Sequence, residues 1–176
     1  MTSSAVAVDL VAAMRAGGLC LAVAESLTGG SLCSAVVAVP GASTVLRGGV
    51  TAYDTRVKTT VLGVEPALVA EHGVVSVPVA VAMARGAATL LGADVGVATT
   101  GVAGPGPSDG VPAGTVALAV VARRRVRVRR VLLAGSRALV RDAAVDLALA
   151  LALTAVADGC VGASRTGTIG GNIAGA

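Results

Sequence analysis

Leu21-Ala22-Val23-Ala24-Glu25-Ser26-Leu27-Thr28-Gly29-Gly30-Ser31 is the stretch on which the fold turns. The apolar run Leu21 to Ala24 has the length of a short buried strand. A polar corner with two glycines follows. The next apolar stretch, Ser31 to Val39, is stopped by Pro40-Gly41 and reads as a helix. The same pattern recurs twice. Asp94 to Thr100 reads as a buried strand that runs into Gly101-Val102-Ala103-Gly104-Pro105. Ala134-Gly135-Ser136-Arg137 stands between a strand and the last helix. In an open α/β sheet such strand ends gather at one edge and form the ligand crevice.

Outward from this corner the elements alternate. Ser3 or Ser4 caps a first helix, with Val6, Leu10, Val11 and Met14 on one face and Gly17-Gly18 at its end. Gly49 to Tyr53 reads as a strand, and Asp54 caps a helix to about Leu62. Pro66 opens a short turn to His72, and Pro78 opens a helix to about Leu91. Thr115 to Ala122 and Val126 to Ala134 form a hairpin across a tight arginine turn. A long helix runs from about Ala138 to Val156. Helices interleaved with short apolar strands, plus one antiparallel pair, predict an α/β three-layer αβα sandwich with a mixed sheet of about five strands. Residues 1–157 are expected to form one domain. Residues 158–176, rich in glycine, are expected to be a disordered tail.

Composition narrows the function classes. The 176 residues are 55% hydrophobic and only 14% charged, with one Tyr and neither Phe nor Trp. A stacking surface for single-stranded nucleic acid needs rings that this chain lacks. The net charge of +4 comes from one stripe, Arg123 to Arg130, which holds six arginines. Elsewhere 8 basic residues face 10 acidic ones. The stripe alternates with valines and reads as a solvated edge strand, so no nucleic-acid partner is expected. The longest charge-free run, Ser26 to Leu46, is broken by Thr28-Gly29-Gly30 and Pro40-Gly41, so no membrane span is expected. Asp9 interrupts the first apolar stretch, and no signal peptide is expected. Cys20, Cys33 and Cys160 show no metal-ligand spacing, and His72 is the sole histidine. No metal site or cofactor is expected, and a reducing, cytoplasmic setting fits.

The chemistry concentrates at the corners. The chain has 13 Arg and one Lys, Lys58, and its one Tyr, Tyr53, lies five positions before it. A lysine kept in so arginine-biased a chain suggests a task that needs deprotonation, which Arg cannot perform. If Asp54 caps a helix, Lys58 lies in its early turns, where the macrodipole favours the neutral amine. Ser26 on a strand–turn–helix corner, Lys58 as base and Tyr53 as proton relay make a serine hydrolase of the Ser–Lys kind. Backbone N–H groups around Thr28, Gly29 and Gly30 are candidates for an oxyanion hole, with the glycines allowing close approach to a ligand. Thr100, Gly101, Ala103, Gly104 and Arg137 are candidates for holding a phosphate. A plainer reading of the first corner also stands: Ser26 and Thr28 cap the next helix. Glu25 should face away from Ser26 as a structural hydrogen-bonding carboxylate.

Taken together, Ala24-Glu25-Ser26-Leu27-Thr28-Gly29-Gly30, Gly49 to Lys58, His72-Gly73-Val74-Val75-Ser76, Thr100 to Pro105 and Gly114-Thr115-Val116 resemble the ordered blocks of the CinA C-terminal domain family over roughly residues 5 to 157. Leu27 stands where that family's signature has Cys, and Ser136-Arg137 where Asp-Arg is usual. The resemblance implies a nicotinamide-nucleotide amidohydrolase, an NMN deamidase of pyridine-nucleotide recycling. Such an enzyme converts nicotinamide mononucleotide and water to nicotinate mononucleotide and ammonia. It also implies Ser26 as nucleophile with Lys58 and Tyr53 as activating partners, a mixed five-stranded sheet in three layers, and a homo-oligomer. The alternative is a non-enzymatic pyridine-nucleotide-binding module with a vestigial site.

Overall fold

The computed structural model describes residues 3–122 and 125–158. Five strands form one sheet: β1 Leu21–Glu25, β2 Leu46–Thr51, β3 Val95–Gly101, β4 Thr115–Ala122 and β5 Arg125–Leu132. Their order is β2-β1-β3-β4-β5. β1 runs parallel to β2 and β3, and β4 is antiparallel to both β3 and β5. Among the described residues six α-helices accompany the sheet: α1 Ser3–Ala16, α2 Ser31–Val37, α3 Thr55–Thr60, α4 Pro66–His72, α5 Val77–Leu90 and α6 Arg137–Ala157. The α/β sandwich and its mixed five-stranded sheet are as the sequence predicts.

Side-chain alternation along the strands builds two unlike cores. Leu21, Val23, Val95, Val97, Leu118 and Val120 face one way and pack under α1, α2 and α6. Ala22, Ala24, Ala98, Ala117 and Ala119 face the other way, under α5. Alanine on that face lets α5 come close. Gly96 of β3 has no room for a Cβ because the Ala84 carbonyl lies against it. The sheet is therefore padded by branched side chains on one face and nearly touched by helix backbone on the other.

The expected elements are shifted in places. β2 starts at Leu46 rather than Gly49 and ends at Thr51, so Tyr53 lies beyond it. Leu46-Arg47-Gly48-Gly49 has weak strand character, and pairing with β1 overrides it. β4 is buried at every position, whereas β5 is the exposed edge. Arg127 of that edge bonds Asp158, the residue that closes α6. The hairpin's arginine turn at 123–124 and the tail at 159–176 lie outside the described residues, as do the side chains of Ser3 and Ser4, expected to cap α1. No helix among the described residues is long and apolar enough to cross a membrane.

Candidate active site

The C-terminal ends of β1 and β3 meet the segment after β2 and the start of α6 at a cleft of about 290 Å³. That volume lies near the lower end of the roughly 300–1,000 Å³ usual for small-molecule sites. Ser26, Lys58, Tyr53 and Arg137 line it, together with Thr100, Gly101, Ala103 and Gly104 of the loop after β3. Leu27, Val74, Val75, Ser108 and Asp109 also stand in its wall.

Ser26 prolongs β1 by one residue: its N–H donates to the Thr99 carbonyl at 3.0 Å. Its side chain lies at the cleft floor, 9% exposed. Lys58 reaches it from α3. Asp54 caps that helix by accepting from the Arg56 N–H at 2.7 Å, and so aims its inner face at the strand ends. Lys58 is 2% exposed. Its Nζ donates to the Ala52 carbonyl at 2.7 Å and lies 3.1 Å from Ser26 Oγ. Ala52 in turn donates its N–H to the Glu25 carbonyl at 2.7 Å. The Lys58 amine is thus tied to the backbone beside the Ser26 hydroxyl.

Burial pushes the Lys58 amine below the ordinary lysine range, and the nearby Asp54 carboxylate opposes the shift. The macrodipole is not the cause. α3 spans only Thr55–Thr60, and Lys58 sits in its last turn, where a helix dipole favours the charged form. The lowering expected for Lys58 therefore has a different origin, desolvation.

Tyr53 is placed otherwise than expected. It is 64% exposed, and its hydroxyl accepts from Arg137 Nη2 at 3.1 Å, not from the Ser26–Lys58 pair. Arg137 also donates to the Gly104 carbonyl at 2.9 Å. The backbone turns outward after buried Ala52, carrying the phenol to the cleft mouth. There Tyr53, Arg137 and the loop after β3 form a brace across the opening.

Thr28, Gly29 and Gly30 do not line the cleft. Thr28 is fully buried, and its Oγ1 pairs with Thr99 Oγ1 at 2.7 Å. The Gly30 N–H is committed to Glu25 Oε2 at 2.9 Å, and the Gly29 N–H to the Ser26 carbonyl at 3.2 Å. These two N–H groups are occupied, which removes them from the expected oxyanion hole. The glycines serve conformation instead: φ is 63° at Gly29 and 98° at Gly30, the left-handed region. Neither Ser26 nor Thr28 caps α2. Glu25 does so, accepting from Gly30, Leu32 and Cys33 N–H groups at 2.8–3.0 Å, as a buried structural carboxylate facing away from Ser26.

Thr100, expected to hold a phosphate, spends its hydroxyl on the backbone, and one contributor, Arg141, escaped the sequence reading. Thr100 Oγ1 donates to the Val74 carbonyl at 2.8 Å and fastens the segment before α5 to the cleft wall. Arg141 donates to the Leu27 and Thr28 carbonyls. Its sequence signal was its place one helical turn after Arg137, on the same face of α6.

Comparison with known proteins identifies the family and matches the fold. The CinA C-terminal domain family matches residues 3–156. A CinA-like protein of Frankia casuarinae is 47% identical over 131 residues, 74% of this chain and 30% of that protein. One of Gemmatimonas aurantiaca is 48% identical over 132 residues, 74% of this chain and 31% of its own length. The chain thus spans about a third of the curated relatives it matches. A crystal structure of a competence-damaged protein (CinA) superfamily protein from Klebsiella pneumoniae superposes with TM-score 0.86 at 33% identity, covering 90% of this chain and 99% of that one. The competence/damage inducible protein of Agrobacterium tumefaciens gives 0.83 at 34% identity, covering 88% and 95%. The chain belongs to the CinA C-terminal domain family.

Proposed function

We propose that the chain is an amidohydrolase that converts nicotinamide mononucleotide and water to nicotinate mononucleotide and ammonia, with Ser26 as nucleophile and Lys58 as its base. The observation that carries this reading is the buried 3.1 Å approach of Lys58 Nζ to Ser26 Oγ, with Nζ anchored on the Ala52 carbonyl. A neutral amine so held keeps its lone pair for the serine proton. Ser26 Oγ attacks the carboxamide carbon while Lys58 takes that proton. The ammonium so formed returns it to the departing nitrogen, and ammonia leaves. Water, deprotonated by the same amine, then attacks the acyl-serine ester. Nicotinate forms, and Ser26 regains its proton.

The developing oxyanion needs donors. The N–H groups of Leu27 and Thr28 make no hydrogen bond among the described residues, and Leu27 lines the cleft. They are the donors favoured here. Arg137 at the mouth supplies the charge for the substrate phosphate, exchanging its bonds to Tyr53 and Gly104 for stronger charge-assisted ones. The reading carries with it a cytoplasmic homo-oligomer of pyridine-nucleotide recycling, as the family resemblance implies. Ammonia release from nicotinamide mononucleotide by the pure protein tests it. Tight binding without release would favour the non-enzymatic alternative.

A further inference from the structure

The turn after Ser26 carries two adjacent glycines with positive φ, so its peptide planes have little of their own to hold them. Two bonds within the turn, from the Gly29 and Ser31 N–H groups to the Ser26 and Thr28 carbonyls, are supplemented from elsewhere. Arg141 of α6 donates from Nε to the Leu27 carbonyl at 3.0 Å. From Nη2 it donates to the Thr28 carbonyl at 2.9 Å and to Ser31 Oγ at 3.2 Å. The guanidinium is part-buried and is not among the groups lining the cleft.

A trans peptide points its carbonyl and the following N–H in opposite directions. The Leu27 carbonyl is turned to Arg141, so the Thr28 N–H is turned away from it. The Ser26 carbonyl accepts from Gly29, which fixes the opposite edge of that plane, the Leu27 N–H. The Thr28 carbonyl, held by Arg141 and Ser31, fixes the Gly29 N–H that makes the Ser26 contact. One side chain therefore sets the plane that presents the Thr28 N–H, and through Gly29 steadies the plane that presents the Leu27 N–H.

We propose that Arg141 is a positioning residue for this chemistry: it locks the peptide planes after Ser26 so that the Leu27 and Thr28 N–H groups stand ready for the oxyanion. The inference rests on the serine hydrolase reading given above. A guanidinium suits the task because its planar fork spans two neighbouring carbonyls at once, which an ammonium cannot do with fixed geometry.

The experiment uses Arg141→Met and Arg141→Lys in the full chain. Each is measured for kcat and KM with nicotinamide mononucleotide, for affinity toward the product nicotinate mononucleotide, and for the rate of Ser26 phosphonylation by a fluorophosphonate. Arg141→Met is expected to lower kcat and the phosphonylation rate at least about tenfold. Loss of one oxyanion donor outright costs roughly 10²–10³-fold, and misalignment costs part of that. KM and product affinity should stay within about threefold, and Arg141→Lys should recover part of the rate. A folded Arg141→Met with kcat and labelling within threefold of wild type overturns the proposal. So does a parallel loss of kcat and product affinity, which marks a general collapse of the site. If Arg141→Met does not fold, Arg141→Lys at wild-type rates overturns it equally. Wild-type labelling without ammonia release refutes only the substrate, and the labelling rates still decide on Arg141. A wild type that neither labels nor deamidates removes the serine reading and this inference with it.

Discussion

Lys58 Nζ and Ser26 Oγ lie 3.1 Å apart although 32 positions separate them, and both side chains are buried. The contact is made at one edge of the sheet, past the C-terminal ends of two adjacent strands. β1 delivers the serine, and the Asp54-capped turn after its parallel neighbour β2 delivers the lysine. Lys58→Arg keeps the charge but cannot give up a proton near neutral pH. With Lys58 as base, kcat should fall about 10²–10⁴-fold. Because the slot is tight, Lys58→Met serves as the companion variant, and it should lose as much. Steady-state ammonia release with circular dichroism checks both, and near-normal turnover in either folded variant removes the base assignment.

Ser26→Ala is expected to abolish deamidation while changing nicotinamide mononucleotide affinity only a few-fold, because the hydroxyl forms the new bond and adds little to binding. Calorimetric titration alongside the activity assay separates the two effects. More than a small residual rate in pure enzyme would mean another nucleophile.

Much of this site could be read in advance, and the remainder could not for identifiable reasons. Ser26 and Lys58 stood out because a polar, glycine-rich corner interrupts apolar strands and because lysine is otherwise absent from the chain. The two-sided core was legible in the apolar runs of β1, β3 and β4. Two of the expected oxyanion donors, the Gly29 and Gly30 N–H groups, are taken by the Ser26 carbonyl and by Glu25, since nothing local tells that Glu25 reaches forward to Gly30. Arg141 touches carbonyls 113 and 114 positions away, a relation fixed only once α6 packs over β3 and β4 and against α2. The partnership of Tyr53 with Arg137 is likewise tertiary. A phenol next to a strand end looks the same whether it turns in toward the nucleophile or out to the mouth.

Glu25→Gln should lower stability more than its isosteric shape suggests. The buried carboxylate accepts three backbone N–H bonds, and hydrogen bonds to a charged group contribute roughly 1.5–3 kcal/mol each. An amide offers one acceptor oxygen and turns an NH₂ toward donors. A loss of about 3 kcal/mol, or roughly 6–12 °C in Tm for a chain of this size, is expected by thermal melting. A Tm within 2 °C of wild type would show that Glu25 does not hold the turn.

Arg137→Ala should raise KM for nicotinamide mononucleotide well over tenfold and leave kcat far less affected, if the guanidinium meets the phosphate. The nucleotide's advantage over nicotinamide riboside should shrink in parallel. Equal efficiency of wild type with riboside and nucleotide would place no phosphate contact at Arg137.

The lowered Lys58 pKa ties rate and stability to pH in the same direction. Only the neutral amine accepts the Ser26 proton, so kcat/KM should rise with pH through the Lys58 pKa. Its midpoint should lie below the ordinary lysine range, since burial disfavours the ammonium. For stability, the unfolded chain holds the Lys58 proton over the window between the lowered folded value and the ordinary one, while the folded chain has released it. Stability therefore rises with pH across that window, and below it the full cost of burying the ammonium is present. Other groups titrate too, so the difference between wild type and Lys58→Met isolates this contribution. Urea melts at stepped pH should show wild type gaining on Lys58→Met as pH increases through the window. Parallel stability curves, or a wild-type rate that falls over the same interval, would mean that Lys58 stays charged beside Ser26 and acts as an electrostatic partner rather than as a base.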